Sequence, residues 1–235
     1  MLVHGAGPPL LLIHGLGCSS TYFGSLQSRL AANFTVYAPD LPGHGRSDKP
    51  QERMWKLAEL TDWLSTFSDQ LGLRRPLVVG HSLGGGIAVD LAARYPELAG
   101  GIVLLAPTGV PEMPALVRQL PRMMLDAIRE PLCLYPLIVP AYLRAGPRRI
   151  LRLAIDQTRY GQRQALGHIR APMLVMRGSR DPIDDATAMD ELVALATGAE
   201  RIEIPGAAHA LQVSHTAQVS EAIIAFAQRF QESSR

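Results

Sequence analysis

The stretch PLVVGHSLGGGIAVDLAARY, residues 76–95, places one hydroxyl between two segments of different character. The apolar residues PLVV lead into GHSLG, and a run with the apolar spacing of a helix follows at once. This pattern predicts a buried strand, a tight turn and a helix. A buried serine without a hydrogen-bond partner costs free energy. Ser82 is therefore expected either to be satisfied locally or to take part in chemistry.

Strand and helix patterns alternate over most of the remaining chain. Such alternation is typical of a mostly parallel sheet with helices on both faces, and this α/β architecture is the fold class we predict. The predicted strands are Leu10–Ile13, Thr35–Ala38, Leu77–Val79, Gly101–Leu105, Met173–Met176 and Arg201–Ile204. The predicted helices lie near residues 20–32, 57–71, 83–94, 185–197 and 216–231.

The alternation is interrupted once, between residues 111 and 168. No strand pattern occurs there, and Pro, Met, Leu and Arg dominate the composition. A loop of that length without secondary structure is uncommon in a compact domain. We therefore predict a helical cap at 111–168, inserted into a core formed by residues 1–110 and 169–235.

Composition and charge narrow the class of protein. The 235 residues suit a single domain with or without a cap, and a net charge of +2 gives no reason to expect a nucleic-acid partner. The longest apolar runs fall short of the roughly 18 residues that a membrane span needs, so no integral membrane segment is expected. With only Cys18 and Cys133 as cysteines, a reducing, cytoplasmic location is the expectation. Whether the protein forms a homo-oligomer is left open.

The sequence GHSLG has the pattern Gly-x-Ser-x-Gly in the strand–turn–helix context that this motif requires. In such a turn Gly80 and Gly84, two residues either side of the serine, have no room for side chains, and the serine has strained backbone geometry. The N-terminus of the following helix directs N–H groups at the same place. The context favours a nucleophilic Ser82 over a glycine-rich turn whose serine only caps the helix.

A serine nucleophile requires a base, and an acid that orients the base. Catalytic groups of open α/β sheets gather in loops beyond the carboxyl ends of the strands. His209, in IEIPGAAHALQVSH, lies in such a loop and is the predicted base, ahead of His215 near the next helix. Asp181, in PMLVMRGSRDPI, follows another strand and is the predicted acid, whereas Asp184 and Asp185 are typical of helix caps.

Two backbone N–H groups are predicted to bind the oxyanion formed when a serine attacks a carbonyl. One is that of Leu83, the residue after the nucleophile. The other is that of Leu16, in IHGLG, where the flanking glycines let the main chain approach a ligand closely. Cys18 lies nearby without an adjacent base, which favours a small buried residue over a second nucleophile.

With these motifs in place, the sequence resembles the α/β-hydrolase superfamily, in its lid-bearing esterase and lipase-like branch. The segments IHGLG, DLPGHGRSDKP, GHSLGG, GSRDPI and PGAAHALQVSH occur in the family's order, and Ser82, Asp181 and His209 follow its nucleophile–acid–base order. The resemblance covers nearly the whole chain. It implies the α/β-hydrolase fold and a serine hydrolase that works through an acyl-enzyme without a cofactor. No histidine and carboxylate cluster has metal-ligand spacing, so no metal is expected either.

One departure from the family concerns the N-terminal hairpin that usually precedes the HG strand. Only MLVH stands before the first glycine turn. We therefore expect a truncated hairpin in which the first strand is missing and the second is a stub. This edge of the sheet lies far from the predicted site.

The substrate is predicted to be a small-molecule carboxylic ester with a short to medium acyl chain. Epoxide hydrolases and haloalkane dehalogenases of similar fold are excluded because they use an aspartate where this chain has Ser82. Carbon–carbon bond hydrolases, lactonases and thioesterases share the triad and stay open as alternatives. A non-catalytic, hydrolase-like receptor is disfavoured by the complete triad.

The cap carries the only sequence evidence on the substrate. Its apolar residues are predicted to line an adaptable acyl pocket. They are Met113, Leu116, Leu120, Met123, Met124, Leu125, Leu132, Leu134, Leu137 and Ile138. The same segment to Arg170 carries ten arginines against four acids. This basic character is interpreted as a solvated outer face, and attraction to an anionic substrate or lipid surface is the alternative.

Overall fold

Seven strands form one sheet in a computed structural model that describes residues 1–49, 54–110, 116–184 and 186–232. The strands are β1 (Leu2–His4), β2 (Pro9–Ile13), β3 (Thr35–Ala38), β4 (Leu77–His81), β5 (Gly101–Leu105), β6 (Met173–Gly178) and β7 (Glu200–Ile204). Their order is β1-β3-β2-β4-β5-β6-β7, with β1 antiparallel to β3 and every other pair parallel. The predicted fold class, a mostly parallel sheet flanked by helices, is confirmed.

Helices cover both faces of the sheet because its central strands are apolar on both sides. The helices that pack on it are α1 (Gly24–Leu30), α2 (Leu57–Gln70), α3 (Leu83–Arg94), α8 (Ala186–Leu195) and α10 (Thr216–Glu232). Leu10 and Leu12 pack on one face with α1 and α10, and Leu11 and Ile13 pack on the other with α2, α3 and α8. A short α9 (Leu211–Ser214) precedes α10, and a 3₁₀ turn, Ser20–Phe23, precedes α1. The six predicted strands and five predicted helices are all found, with shifts of a few residues at their ends.

The N-terminal strand β1 has the stub length expected from the sequence. Leu2–His4 pairs antiparallel with β3, with Val3 opposite Tyr37. The strand lies at the edge of the sheet, three places in sheet order before β4, which leads into Ser82, and six places before β7, which precedes the loop with His209.

In its described part, the segment between β5 and β6 contains helices and no strand, as the interruption in the strand pattern predicted. It contains α4 (Leu116–Arg129), α5 (Tyr135–Ala145), α6 (Pro147–Arg159) and α7 (Arg163–Leu166), with a 3₁₀ turn at Leu132–Leu134. Polar side chains bind this segment to the core. Gln162 Nε2 donates to Gly86 O at 2.5 Å, and the N–H of Leu57 donates to Asp156 Oδ2 at 2.8 Å. We call α4–α7 the cap segment; its assignment as a separate unit with boundaries at 111 and 168 stays a prediction.

Within the described ranges, no helix is both long and apolar enough to span a bilayer.

Candidate active site

Ser82 lies at the sharp turn between β4 and α3. Its φ of 54° and ψ of −119° fall in a region that residues with side chains rarely adopt. The turn explains both motif glycines: a Cβ on Gly80 would lie 2.1 Å from Gly84 O, and one on Gly84 would lie 2.2 Å from Ile13 O. No larger residue fits at either position without moving the backbone.

The loop after β2 lies against this turn. A Cβ on Gly15 would approach Ser82 Cβ to 3.2 Å, so the IHGLG loop and the serine are in contact. Because β2 connects to β3 on one side while β4 lies on its other side, the carboxyl ends of β2 and β4 form the topological switch point of the sheet. The predicted oxyanion residues lie here: Leu16 lines the cavity described next, and Leu83 is the first residue of α3.

A cavity of about 270 Å³ opens above Ser82. Core loops and the cap segment contribute to its walls, which are predominantly apolar. The core residues are Gly15, Leu16, Cys18, Tyr22, His81, Ser82, Thr108, Ile183, His209 and Ala210. Those of the cap segment are Gln119, Met123, Asp126, Ala127, Glu130, Leu134, Tyr135, Ile138, Tyr142 and Gln157.

His209 and Asp181, the predicted base and acid, are hydrogen-bonded. His209 Nδ1 lies 2.8 Å from Asp181 Oδ2. The other oxygen of Asp181 accepts from the N–H groups of Ile183 at 2.7 Å and Asp184 at 3.1 Å. The carboxylate can only accept, so Nδ1 carries the hydrogen and Nε2 is left to take up a proton. The alternative acid Asp185 lies outside the described residues.

Ser82 Oγ makes its hydrogen bond to Thr108 Oγ1, at 3.3 Å. Gln157 Nε2, from α6, donates to the same threonine oxygen at 2.9 Å and to Thr108 O at 2.7 Å. Either hydroxyl can donate in the Ser82–Thr108 contact, and donation by Thr108 would leave the serine hydrogen free for a base. No hydrogen bond joins Ser82 to His209 among the described residues, although both line the cavity. Neither Thr108 nor Gln157 belongs to a sequence motif, and sequence reasoning missed both.

His81, the last residue of β4, contacts the loop that carries His209 and, through Tyr22, the loop after β2. Its Nε2 lies 3.0 Å from His209 O and its Nδ1 lies 2.8 Å from Tyr22 Oη, which in turn accepts from Gly15 N at 2.9 Å. A carbonyl only accepts, so Nε2 donates to His209 O and Nδ1 accepts from the tyrosine hydroxyl. Burial lowers the pKa of His81 to about 3, which keeps the ring neutral in this role.

Two carboxylates of the cap segment bind the backbone of the loop between β7 and α9, residues 205–210, which we call the histidine loop. The N–H of His209 donates to Asp126 Oδ1 at 3.1 Å, and the N–H of Ala210 donates to Glu130 Oε1 at 2.5 Å. Both acids are buried. Burial raises the pKa of Glu130 to about 7, and its second oxygen has no hydrogen-bond partner within the described part of the chain. Sequence reasoning missed both acids, because no motif surrounds them.

These carboxylates change the electrostatics of the base. Burial alone disfavours the charged imidazolium, but Asp181, Asp126 and Glu130 outweigh burial and raise the pKa of His209 to about 9. Burial by itself would raise the pKa of Asp181. The charge of His209 and the hydrogen bonds that the Asp181 carboxylate accepts hold that pKa below its usual value. The site therefore stabilises an imidazolium beside Asp181, the charge state in which a base holds a proton taken from serine.

The predicted acyl-pocket residues of the cap segment lie in three different environments. Met123, Leu134 and Ile138 line the cavity. Leu120, Met124, Leu125 and Leu132 are exposed and do not line the cavity, so the prediction that they line the pocket is wrong. Leu137 is partly buried against the core. Met113 and the side chain of Leu116 lie outside the described residues.

Cys18 is buried in the cavity wall, as expected for a small packing residue. Burial raises the pKa of its thiol to about 12, which disfavours the reactive thiolate. Both Cys18 and Cys133 are free, so they form no disulfide.

Comparison with known proteins identifies one family. The sequence profile described as the alpha/beta hydrolase family matches residues 10–222. An uncharacterised protein of Mycobacterium tuberculosis is 38% identical over 159 residues, which cover 68% of this chain and 46% of that protein. The 2-hydroxymuconate semialdehyde hydrolase of a Pseudomonas species is 37% identical over 109 residues, covering 45% of this chain and 38% of the enzyme. The chain thus spans less than half the length of these two relatives.

Among solved structures, a bacterial membrane phospholipase A superimposes with a TM-score of 0.80 at 27% sequence identity. The match covers 97% of this chain and 82% of the phospholipase. Its extent includes the cap segment as well as the sheet.

Proposed function

The chain belongs to the alpha/beta hydrolase family, and on that premise we propose that it is a serine hydrolase that cleaves carboxylic esters of short to medium acyl chains. Family membership supports a hydrolase activity. We further propose which bond is cleaved and which residues act on it. We assign Ser82 as nucleophile, His209 as base and Asp181 as the acid that orients the base.

One observation carries this proposal. A serine on a strained strand–helix turn lines the same cavity as a histidine whose Nδ1 is 2.8 Å from a buried carboxylate. A strained, cavity-facing serine has no structural need of a neighbouring histidine–carboxylate pair. Together the three groups supply what nucleophilic catalysis by a hydroxyl requires.

In the proposed mechanism, Ser82 Oγ attacks the ester carbonyl while His209 Nε2 takes up the serine proton. Asp181 stabilises the imidazolium that forms. The N–H groups of Leu83 and Leu16 bind the oxyanion. His209 then returns the proton to the leaving alcohol, and water hydrolyses the acyl-enzyme by the same steps. The absent Ser82–His209 hydrogen bond is compatible with this mechanism, since such contacts often tighten only when substrate binds.

The size and walls of the cavity support a short to medium acyl group. Its volume of about 270 Å³ lies just below the roughly 300–1,000 Å³ of pockets for drug-sized ligands. The phospholipase A at 27% identity supports hydrolysis of a lipid-type ester at this site. The Pseudomonas relative favours a second candidate, hydrolysis of a carbon–carbon bond next to a carbonyl.

The test is activity on p-nitrophenyl esters of graded acyl length, combined with fluorophosphonate labelling and identification of the labelled residue. We expect ester turnover and labelling at Ser82. Turnover of a semialdehyde-type ring-cleavage product at a far higher kcat/KM than any ester would favour the second candidate. Tight ligand binding without turnover of either substrate class would point to a receptor.

The pH dependence of kcat/KM is expected to rise through one ionisation, because His209 must be neutral to accept the serine proton. The raised pKa of His209 places this rise on the alkaline side of neutrality. Glu130 contributes to raising that pKa, and it is ionised above its own pKa of about 7. Glu130→Gln should therefore move the midpoint to lower pH while keeping a carbonyl acceptor for Ala210 N.

The matched control for this shift is Glu191→Gln, an exposed acid of α8 paired with Arg163 on the surface. It should leave the midpoint unchanged. A midpoint that does not move in Glu130→Gln would show that Glu130 has no electrostatic effect on the base.

Adjacent methionines provide a test of acyl selection. Met123 lines the cavity and Met124 does not. Met123→Ala should shift the optimum of kcat/KM towards longer acyl chains, since each further methylene buried contributes up to about 0.8 kcal/mol, roughly four-fold in rate. Met124→Ala should keep the wild-type profile. The same profile in both variants, measured with p-nitrophenyl esters, would mean that Met123 does not select the chain.

A further inference from the structure

The inner face of helix α4 brings two carboxylates to the wall of a predominantly apolar cavity. Gln119, Met123, Asp126, Ala127 and Glu130 all line the cavity, and their spacing places them on one side of the helix. Asp126 and Glu130 are buried, with exposed fractions of 9% and 8%. Each acid accepts one backbone N–H of the histidine loop with one of its oxygens. The second oxygen of Glu130 has no hydrogen-bond partner within the described part of the chain.

No lysine or arginine balances these two carboxylates inside the cavity. None is among the described residues that line it, so the basic composition of the cap segment does not extend to this wall. Arg129 lowers the pKa of Asp126 by its charge, but its guanidinium donates to Arg180 O and does not line the cavity. A protonated His209 is hydrogen-bonded to Asp181, and it loses its charge when it is ready to act as a base. The cavity of the enzyme that is ready to react is therefore acidic.

A positively charged ligand group would complement this wall. Buried charges in proteins are usually paired or bound to metals, because an isolated charge in an apolar environment costs free energy. The described part of the chain has no group of three or more ligating side chains that could hold a metal ion. Tyr22, Tyr135 and Tyr142 also line the cavity, and tyrosine rings attract cations. The charge that is missing from the wall is therefore one that a substrate can supply.

We propose that Asp126 and Glu130 select substrates by charge, favouring esters whose alcohol moiety is positively charged and disfavouring those whose alcohol moiety carries a carboxylate. This inference rests on the proposed hydrolase function. His209 returns a proton to the leaving alcohol, so the alcohol moiety lies next to the histidine loop, to which both acids are bound. Charges interact more strongly in this partly dry environment than in water.

The test compares kcat/KM for three esters of similar size that differ in charge. They are butyrylcholine, its uncharged isostere 3,3-dimethylbutyl butyrate, and the butyrate ester of 3-hydroxypropanoate, which carries a carboxylate. We expect kcat/KM to be at least about ten-fold higher for the choline ester than for the neutral isostere, and at least about ten-fold lower for the carboxylate ester. The measurements are made above the pKa of Glu130, about 7, so that this acid is ionised.

The double variant Asp126→Asn/Glu130→Gln removes both charges and keeps a carbonyl oxygen for each backbone N–H. Its preference for the choline ester over the neutral isostere should fall at least about five-fold. Because this preference is a ratio measured on one enzyme, a change in the pKa of His209 affects both esters alike. The matched control is Asp156→Asn, which removes a cap-segment acid that also accepts a backbone N–H but does not line the cavity. It should keep the wild-type preference.

Binding of the alcohols alone separates this proposal from the proposed ester hydrolysis. Calorimetric titration with choline and with 3,3-dimethylbutanol needs no turnover, and the wild type should bind choline at least about five-fold more tightly. If none of the three esters were hydrolysed, the hydrolase function would fail, while this comparison would still test the charge preference. Equal kcat/KM or equal binding for the cationic and neutral compounds on the wild type would overturn the proposal. So would a preference that the double variant retains in full while its thermal unfolding shows an intact fold.

Discussion

Ser82→Ala is expected to lower kcat for ester hydrolysis by about 10⁶ and to abolish fluorophosphonate labelling, because triad members act as a unit. The substitution removes only Oγ, whose hydrogen bond is to Thr108, so the fold should be preserved. His209→Ala should cost nearly as much, since the serine loses its base. Both losses are measured as kcat on a short p-nitrophenyl ester, together with the labelling rate.

The control for Ser82 is Ser220→Ala, which removes the hydroxyl of another buried serine. Its Oγ donates to Ala217 O within α10, and the residue does not line the cavity. Activity and labelling should stay at the wild-type level. If Ser82→Ala kept more than a few per cent of activity, or if the label were found on another residue, the assignment of the nucleophile would be wrong.

Asp181→Asn is expected to lower kcat by about 10⁴, and the hydrogen bonds of Asp181 explain why. One oxygen accepts from the N–H groups of Ile183 and Asp184. In the asparagine variant the amide oxygen keeps that place, so the NH₂ group points at His209 Nδ1 and donates to it. The hydrogen of His209 then moves to Nε2, and the ring can no longer accept the serine proton.

Asp184→Asn is the control for this substitution, because Asp184 lies three residues further along the same loop and is also buried. It should retain most of the activity. An active Asp181→Asn enzyme would instead move the role of the acid to Asp184 or Asp185, and the two corresponding asparagine variants would identify which. The kcat values and the pH profile of each variant are the measurements.

Local patterns were sufficient to predict the sheet and its helices. Strands such as Gly101–Leu105 are short apolar runs, and burial on both faces requires that composition. The turn at Ser82 was also predictable from the sequence, because the contacts at Gly80 and Gly84 exclude any side chain and so require glycine. His209 and Asp181 were indicated by their positions after strands, since parallel strands bring their carboxyl ends to one edge of the sheet.

The environment around these groups depends on contacts between residues distant in sequence. Asp126 and Glu130 reach the histidine loop from 83 and 80 residues away, and Gln157 reaches Thr108 from 49 residues away. No spacing in the sequence encodes such a pair, so neither the raised pKa of His209 nor the hydrogen bond of Ser82 was foreseeable.

Helix α4 shows most clearly which features follow from the sequence and which depend on the tertiary structure. Its periodicity identifies an apolar face and a polar face, and the usual preference for burying apolar side chains predicted that Leu120 and Met124 point into the cavity. The structure has the reverse orientation. The backbone N–H groups of His209 and Ala210 are buried and need acceptors, and Asp126 and Glu130 supply them. Amphipathic spacing defines two faces, but the groups on the neighbouring loop select which of them is buried.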